Sequence, residues 1–138
     1  MVLIEKRGNL FNAGADYSLC HCISSDYALG AGIAVDFQRK YHLKDSLSAL
    51  GKGTYPDCIY VKGVFNLVTK KSYWHKPTYQ SLESALLLMR ELVLEKNITK
   101  IAMPKIGCGL DRLQWSQVKE ILNRVFKDLD IEIVIYSL

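Results

Sequence analysis

Lys70, Asp111, His75 and Cys108 are the side chains of this sequence placed where they could make or break bonds. Lys70 ends the apolar run Phe65-Asn66-Leu67-Val68-Thr69. A lysine there could be a nucleophile if burial or the neighbouring Lys71 lowered its pKa and a base stood nearby. Taken alone, it reads as a solvated residue at a strand end. Asp111 closes the segment Pro104-Lys105-Ile106-Gly107-Cys108-Gly109-Leu110-Asp111, where a carboxylate could serve as a base. With Gln114 three residues on, it also fits an Asp variant of the capping box, worth about 1 kcal/mol. Position alone favours the cap. Cys108 could be imagined as a thiol nucleophile paired with His75, but nothing in the sequence brings them together. A small residue packed under a turn explains Cys108 better.

Two glycine segments follow apolar strands and precede helical patterns. One runs from Ile23 through Gly30-Ala31-Gly32-Ile33 to Ala34, and the other is Pro104 to Asp111. Glycine lets a backbone approach a ligand closely, and amides at a helix N-terminus hold phosphate oxygens. Neither segment matches the Walker P-loop or the dinucleotide fingerprint GxGxxG. Each alone is an ordinary tight turn. Together, both at helix starts, they fit a phosphate-bearing ligand as well as they fit turns.

The elements that must hold these residues are legible from periodicity. Val2-Leu3-Ile4 predicts a strand stopped by Gly8, and Leu19 to Ile23 a second. A helix opens at Gly30-Ala31-Gly32 and runs through Tyr41, and Lys44 to Leu50 makes a shorter one. Cys58 to Val61 and Val64 to Thr69 form a hairpin about Lys62-Gly63. Tyr79 to Lys96 has helical spacing after the start signal Pro77-Thr78. Lys100 to Met103 is a short buried strand ending at Pro104. A last helix carries Trp115, Val118, Ile121, Leu122, Val125 and Leu129 on one face, before a strand from Ile131 to Tyr136. The expected fold is α/β: a three-layer α/β/α sandwich about a mixed, largely parallel sheet, with residues 1–138 as a single domain. Ligands of such sheets sit at the carboxyl ends of strands, where the glycines lie.

Composition narrows the partners. The 138 residues are 49% hydrophobic and 23% charged, which is ordinary globular usage and argues against disorder. A chain this long buries roughly two-thirds of its unfolded surface, so it can fold without staples. The net charge of +4 suits a modest anionic ligand but makes no basic stripe, so duplex DNA is not supported. Cys20, Cys22, Cys58 and Cys108 show neither a disulfide framework nor zinc spacing, so reduced thiols and no metal are expected. No apolar run approaches the ~20 residues of a membrane span, and the N-terminus lacks the order of a signal peptide. The chain reads as soluble, intracellular and cytoplasmic, with the nucleus left open, and as a monomer.

Three stretches carry a family resemblance. Cys22-Ile23-Ser24-x-Asp26-x-x-x-Gly30-Ala31-Gly32-Ile33-Ala34, Thr69-Lys70-Lys71 with His75-Lys76-Pro77-Thr78-Tyr79, and Pro104-x-Ile106-Gly107-Cys108-Gly109-Leu110-Asp111-Arg112-Leu113-Gln114-Trp115 together resemble the macrodomain superfamily. Within it, the chain resembles the terminal ADP-ribose protein glycohydrolase-like, ALC1-like branch, in order from about Gly8 to Leu138. The last stretch is the most specific.

The resemblance implies ADP-ribose bound across the crest of the sheet and no cofactor. Gly30, Ala31, Gly32 and Ile33 would hold the diphosphate. Pro104, Ile106, Gly107, Cys108, Gly109 and Leu110 would close over the diphosphate and distal ribose. Ser24 stands where the family has a serine near the substrate, Lys70 falls on its catalytic lysine and Asp111 on its catalytic aspartate. Asn9, followed by Leu10, replaces the usual aspartate that bonds the adenine amino group; it keeps an acceptor but brings no charge. Leu138 completes the implied binding set. Branch members remove ADP-ribose from acidic side chains of mono-ADP-ribosylated proteins and hydrolyse O-acetyl-ADP-ribose. The alternatives are a reader that binds without cleaving and a glycohydrolase of ADP-ribosylated nucleic acid. The weak basic character disfavours the latter.

Overall fold

Alternating strands and amphipathic helices assemble as the hydrophobic spacing dictates. The computed structural model describes residues 1–138. Its elements are β1 (Val2–Arg7), a 3-10 turn (Leu10–Asn12), β2 (Ser18–Ser24), α1 (Ile33–Tyr41), α2 (Leu43–Leu50), β3 (Asp57–Val61), β4 (Val64–Lys70), α3 (Tyr79–Lys96), β5 (Lys100–Pro104), α4 (Trp115–Phe126) and β6 (Glu132–Ser137). The six strands form one sheet in the order β1-β6-β5-β2-β4-β3. Neighbours are parallel except β3, which pairs antiparallel with β4. The β3–β4 hairpin turns at Lys62 and Gly63, with φ of +54° and +75°. Positive φ at both central residues is what a two-residue turn needs to match strand twist.

Helices cover both faces, so the inner strands read as continuous apolar runs rather than alternating ones. Phe65 and Leu67 of β4 join Cys20, Ile101, Met103, Ile133 and Ile135 under α3 and α4. Val64 and Val68 point the other way, with Leu19, Ile23 and Val134, to meet Phe37, Leu43 and Leu47 of α1 and α2. Cys20 and Cys22 lie on the α3/α4 side, and all four cysteines are free thiols.

One polar pair sits inside the α1 side of this core. His21 and Asn66 are register partners on β2 and β4 and are fully buried. His21 Nε2 lies 2.6 Å from Asn66 Oδ1, and the Asn66 amide donates to the carbonyls of Ile59 and Val64. Nε2 therefore carries the proton, and Nδ1 is left without a partner. The imidazole stacks on Phe37 at 3.9 Å, and burial lowers its pKa to about 4.

One helix end departs from expectation and one helix start meets it. α4 ends at Phe126, so Leu129 packs on the core from beyond the helix. α3 starts where Pro77-Thr78 indicated, through a reciprocal cap. Thr78 Oγ1 accepts the Ser81 amide and Ser81 Oγ accepts the Thr78 amide, each at 3.0 Å. No helix is long and apolar enough to cross a membrane.

Candidate active site

β5, β2 and β4 are adjacent and parallel, so their carboxyl ends open on one edge of the sheet. Ser24, Lys70 and Pro104 end those strands, while Asn9 and Leu10 follow β1 and Leu138 follows β6 on the same edge. The register slips between Ile23 and Ser24, and this irregularity sets Ser24 opposite Lys70. The Ser25 amide then donates to the Lys70 carbonyl at 2.9 Å. Asn9 and Lys70 mark opposite flanks. β1 and β4 are four strand spacings of about 4.8 Å apart, a crest of roughly 19 Å.

Lys70 Nζ donates to Asp111 Oδ1 at 2.7 Å, and each side chain is only 14% exposed. Two expectations drawn from position alone are thereby corrected. Lys70 is held against a carboxylate rather than solvated. Asp111 does not cap α4, whose N-cap position is Gln114 and makes no side-chain cap bond. The reason is the loop ahead of the helix. Leu113 N–H closes onto the Gly107 carbonyl at 2.7 Å and Arg112 turns through φ of +64°, so the chain reverses before the helix begins. The Gly107–Leu110 backbone consequently stands apart from the α4 N-terminus, and only the first glycine segment supplies amides at a helix start.

That first segment ends at Gly32, which occupies the α1 N-cap with φ of +60° and ψ of −149°. A side chain is strained there, and an added Cβ would lie 3.4 Å from Leu110 Cδ1. The two glycine loops therefore face each other in van der Waals range. Gly30, Ala31, Gly109 and Leu110 are exposed on them, and Gly107 and Cys108 are half-buried. Ile106 is buried in the core beneath. Leu138 is exposed, whereas Leu10 is buried. Asn9 Oδ1 already accepts the Phe11 amide at 3.0 Å, capping the 3-10 turn, so one of its two lone pairs is committed.

Ser24 is buried and its hydroxyl donates to Asp26. Asp26 also accepts the Ala28 amide at 3.1 Å and the Tyr73 amide at 2.9 Å. Burial raises the Asp26 pKa, but these hydrogen bonds outweigh it and hold the carboxyl below its usual range. Lys76 Nζ donates to the Leu110 carbonyl at 2.6 Å, linking the β4–α3 connection to the second glycine loop. Asp26 and Lys76 lie within the family stretches of the sequence, which assign neither a role. The Ser24-x-Asp26 spacing is a local turn signal for the first, whereas no local pattern predicts the 34-residue reach of the second.

A thiol mechanism has no support in the geometry. Cys108 Sγ donates to the Ile106 carbonyl at 3.3 Å and His75 Nδ1 accepts the Ser72 amide at 3.1 Å, so the two do not pair. Burial, then the Asp111 charge, push the Cys22 thiol up to about 12, and burial also raises Cys108. Neither is a thiolate near neutral pH. No three His, Cys, Asp or Glu side chains gather where they could hold a metal ion.

The Macro domain family profile matches residues 52–122. A human protein named ADP-ribose glycohydrolase OARD1 is 41% identical over 135 residues, 96% of this chain and 89% of that protein. The chain belongs to the macrodomain family. A Mycobacterium tuberculosis protein named DNA ADP-ribosyl glycohydrolase is 28% identical to this macrodomain over 143 residues, 94% of this chain and 40% of that protein. The solved macrodomain of Mycobacterium tuberculosis DarG matches with a TM-score of 0.87 at 24% identity, over 99% of this chain and 98% of that one, a likeness of fold. The mixed sheet between helix layers is thus the macrodomain architecture expected of the sequence.

Proposed function

We propose that this macrodomain is an ADP-ribosyl glycohydrolase that removes mono-ADP-ribose from glutamate and aspartate side chains of proteins, with Lys70 and Asp111 as its catalytic residues. The Lys70–Asp111 contact at 2.7 Å carries the proposal, because an amine beside a carboxylate at the crest has what a nucleophile and its proton acceptor require. The human relative named as an ADP-ribose glycohydrolase supports the reaction class.

ADP-ribose lies along the crest, with adenine toward Asn9 and Leu10 and the distal ribose toward Lys70. The diphosphate rests on the Gly30–Ile33 backbone, where the first amides of α1 lack intrahelical acceptors. Gly107 to Leu110 covers it from the other side. Lys70 gives a proton to Asp111, and the neutral amine attacks the anomeric carbon. The C–N bond forms as the C–O bond to the protein carboxyl breaks, the leaving oxygen keeping the electron pair. Asp111 passes its proton to the departing carboxylate. It then takes one from the water that displaces Lys70, and finally returns it to the released amine. The net change is hydrolysis of one glycosyl ester. The same site deacylates O-acetyl-ADP-ribose, water taking the acyl group.

The test follows ADP-ribose release from a glutamate-ADP-ribosylated protein by mass spectrometry, with wild type, Lys70→Ala and Asp111→Ala side by side. Release by wild type alone is the expected result. ADP-ribose binding without release by any of the three would make the chain a reader or direct the search to nucleic-acid substrates.

A further inference from the structure

We infer that a cationic cleft behind Lys70 is an acceptor-side subsite for a second carboxylate, so that the substrate protein carries an acidic residue beside the modified one. The inference rests on the proposed glycohydrolase reading, which places the distal ribose at Lys70 and therefore the leaving group beyond it.

The cleft is about 320 Å³ and runs from the carboxyl end of β4 to the start of α3. At ~30 Å³ per water, it holds one carboxylate-ended side chain with a few waters. Lys70, Lys71, His75 and Lys76 line it, and no acidic side chain does. Lys70 is neutralised by Asp111, but Lys71 has no carboxylate partner. Lys76 spends one donor on the Leu110 carbonyl and keeps two. His75 accepts the Ser72 amide at Nδ1, which leaves Nε2–H free to donate. Thr78, the N-cap of the 18-residue α3, also lines the cleft, so the positive end of that helix dipole faces it.

Thr69, at 1% exposure, forms the floor of the cleft, with its Oγ1 sealed from solvent beside the Cys22 thiol. A carboxylate entering the cleft therefore takes its hydrogen bonds from Lys71, Lys76 and His75 at the rim.

The shape favours a peptide over a nucleic acid. Strand binding needs a positive groove that follows several phosphates. Here the cations close around a single cleft, on a chain whose net charge is only +4. Tyr73 and Trp74, 64% and 65% exposed, stand in the same loop as Lys71 and His75 and offer apolar surface to an approaching chain.

Two synthetic peptides, each with one ADP-ribosylated glutamate, test this: one flanked by Glu, the other by Gln. Wild type should turn over the Glu-flanked peptide with a kcat/KM about tenfold higher, the worth of one charge-assisted hydrogen bond, expressed in KM rather than kcat. Lys71→Gln should abolish that preference and leave the Gln-flanked peptide unchanged. No preference in wild type, or its survival in Lys71→Gln, overturns the proposal. So does a loss in Lys71→Gln confined to an ADP-ribosylated single-stranded oligonucleotide, which would assign the cleft to a nucleic-acid acceptor. An NMR titration of the ADP-ribose-loaded protein with an unmodified Glu-rich peptide separates this from failure of the glycohydrolase reading. Saturable shifts at His75 that vanish in Lys71→Gln support the subsite even if neither modified peptide is cleaved, and no shift overturns it.

Discussion

The Asp26 carboxylate accepts the Tyr73 amide at 2.9 Å across 47 residues of chain, bolting the loop after β2 to the loop after β4. The same carboxylate takes the Ser24 hydroxyl and the Ala28 amide, so one side chain holds both walls beside Lys70. Asp26→Ala leaves three donors without their acceptor. It should lower stability by about 1–3 kcal/mol and weaken ADP-ribose binding, read by chemical denaturation and calorimetric titration. Stability and affinity both equal to wild type would remove Asp26 from this role.

Lys70→Ala and Asp111→Ala should each cut the chemical step by roughly 10²–10⁴-fold while ADP-ribose still binds. The double variant should be little worse than either single one, since residues that act as a unit are not additive. Single-turnover measurements on an ADP-ribosylated peptide check both statements.

Gly32→Ala places a side chain at φ of +60° and within 3.4 Å of Leu110. The strain is about 1–3 kcal/mol, and its relief would move the α1 N-terminus away from the second glycine loop. ADP-ribose affinity should fall about tenfold, measured by titration calorimetry, with the thermal midpoint dropping by a few degrees.

Buried His21 makes folding pH-dependent. Its pKa is lowered from 6.5 to about 4, so between those values the unfolded chain binds more protons than the native one. Stability therefore rises with pH across that window and is lost as pH falls from 6.5 toward 4. The loss is on the order of 3 kcal/mol, measurable as a falling urea midpoint between pH 7 and pH 4. His21→Gln should flatten that part of the profile.

Cys108→Ser should keep turnover within about twofold of wild type, because the thiol is protonated and spends its hydrogen on the Ile106 carbonyl. An abolished reaction in a folded Cys108→Ser variant would reopen thiol chemistry.

Periodicity made most of the architecture legible. The Tyr79–Lys96 helix and the Val64 hairpin strand follow from local apolar spacing and turn residues. The Lys70–Asp111 pair was different in kind. The residues stand 41 positions apart, and they meet through a loop that reverses before α4. Read locally, Asp111 with Gln114 looked like a helix cap, because capping chemistry and proton transfer ask for the same side chain. Only the family resemblance placed the two together. The Lys76–Leu110 and Asp26–Tyr73 ties left no such trace, since each joins loops that meet only after the sheet has formed.

The sheet also imposes an order of assembly. β1 pairs only with β6, from Val2 opposite Glu132 to Arg7 opposite Ser137. During synthesis the first strand must wait for a partner that emerges some 130 residues later. Contacts this distant in sequence are slow to form. Until they do, Asn9 and Leu10 hang from an unpaired strand while the Lys70 end of the crest can already be built from β2, β4 and β5. A nascent chain of this topology would therefore build the Lys70 end of its crest before the Asn9 end, and the last strand would join the two into one continuous edge.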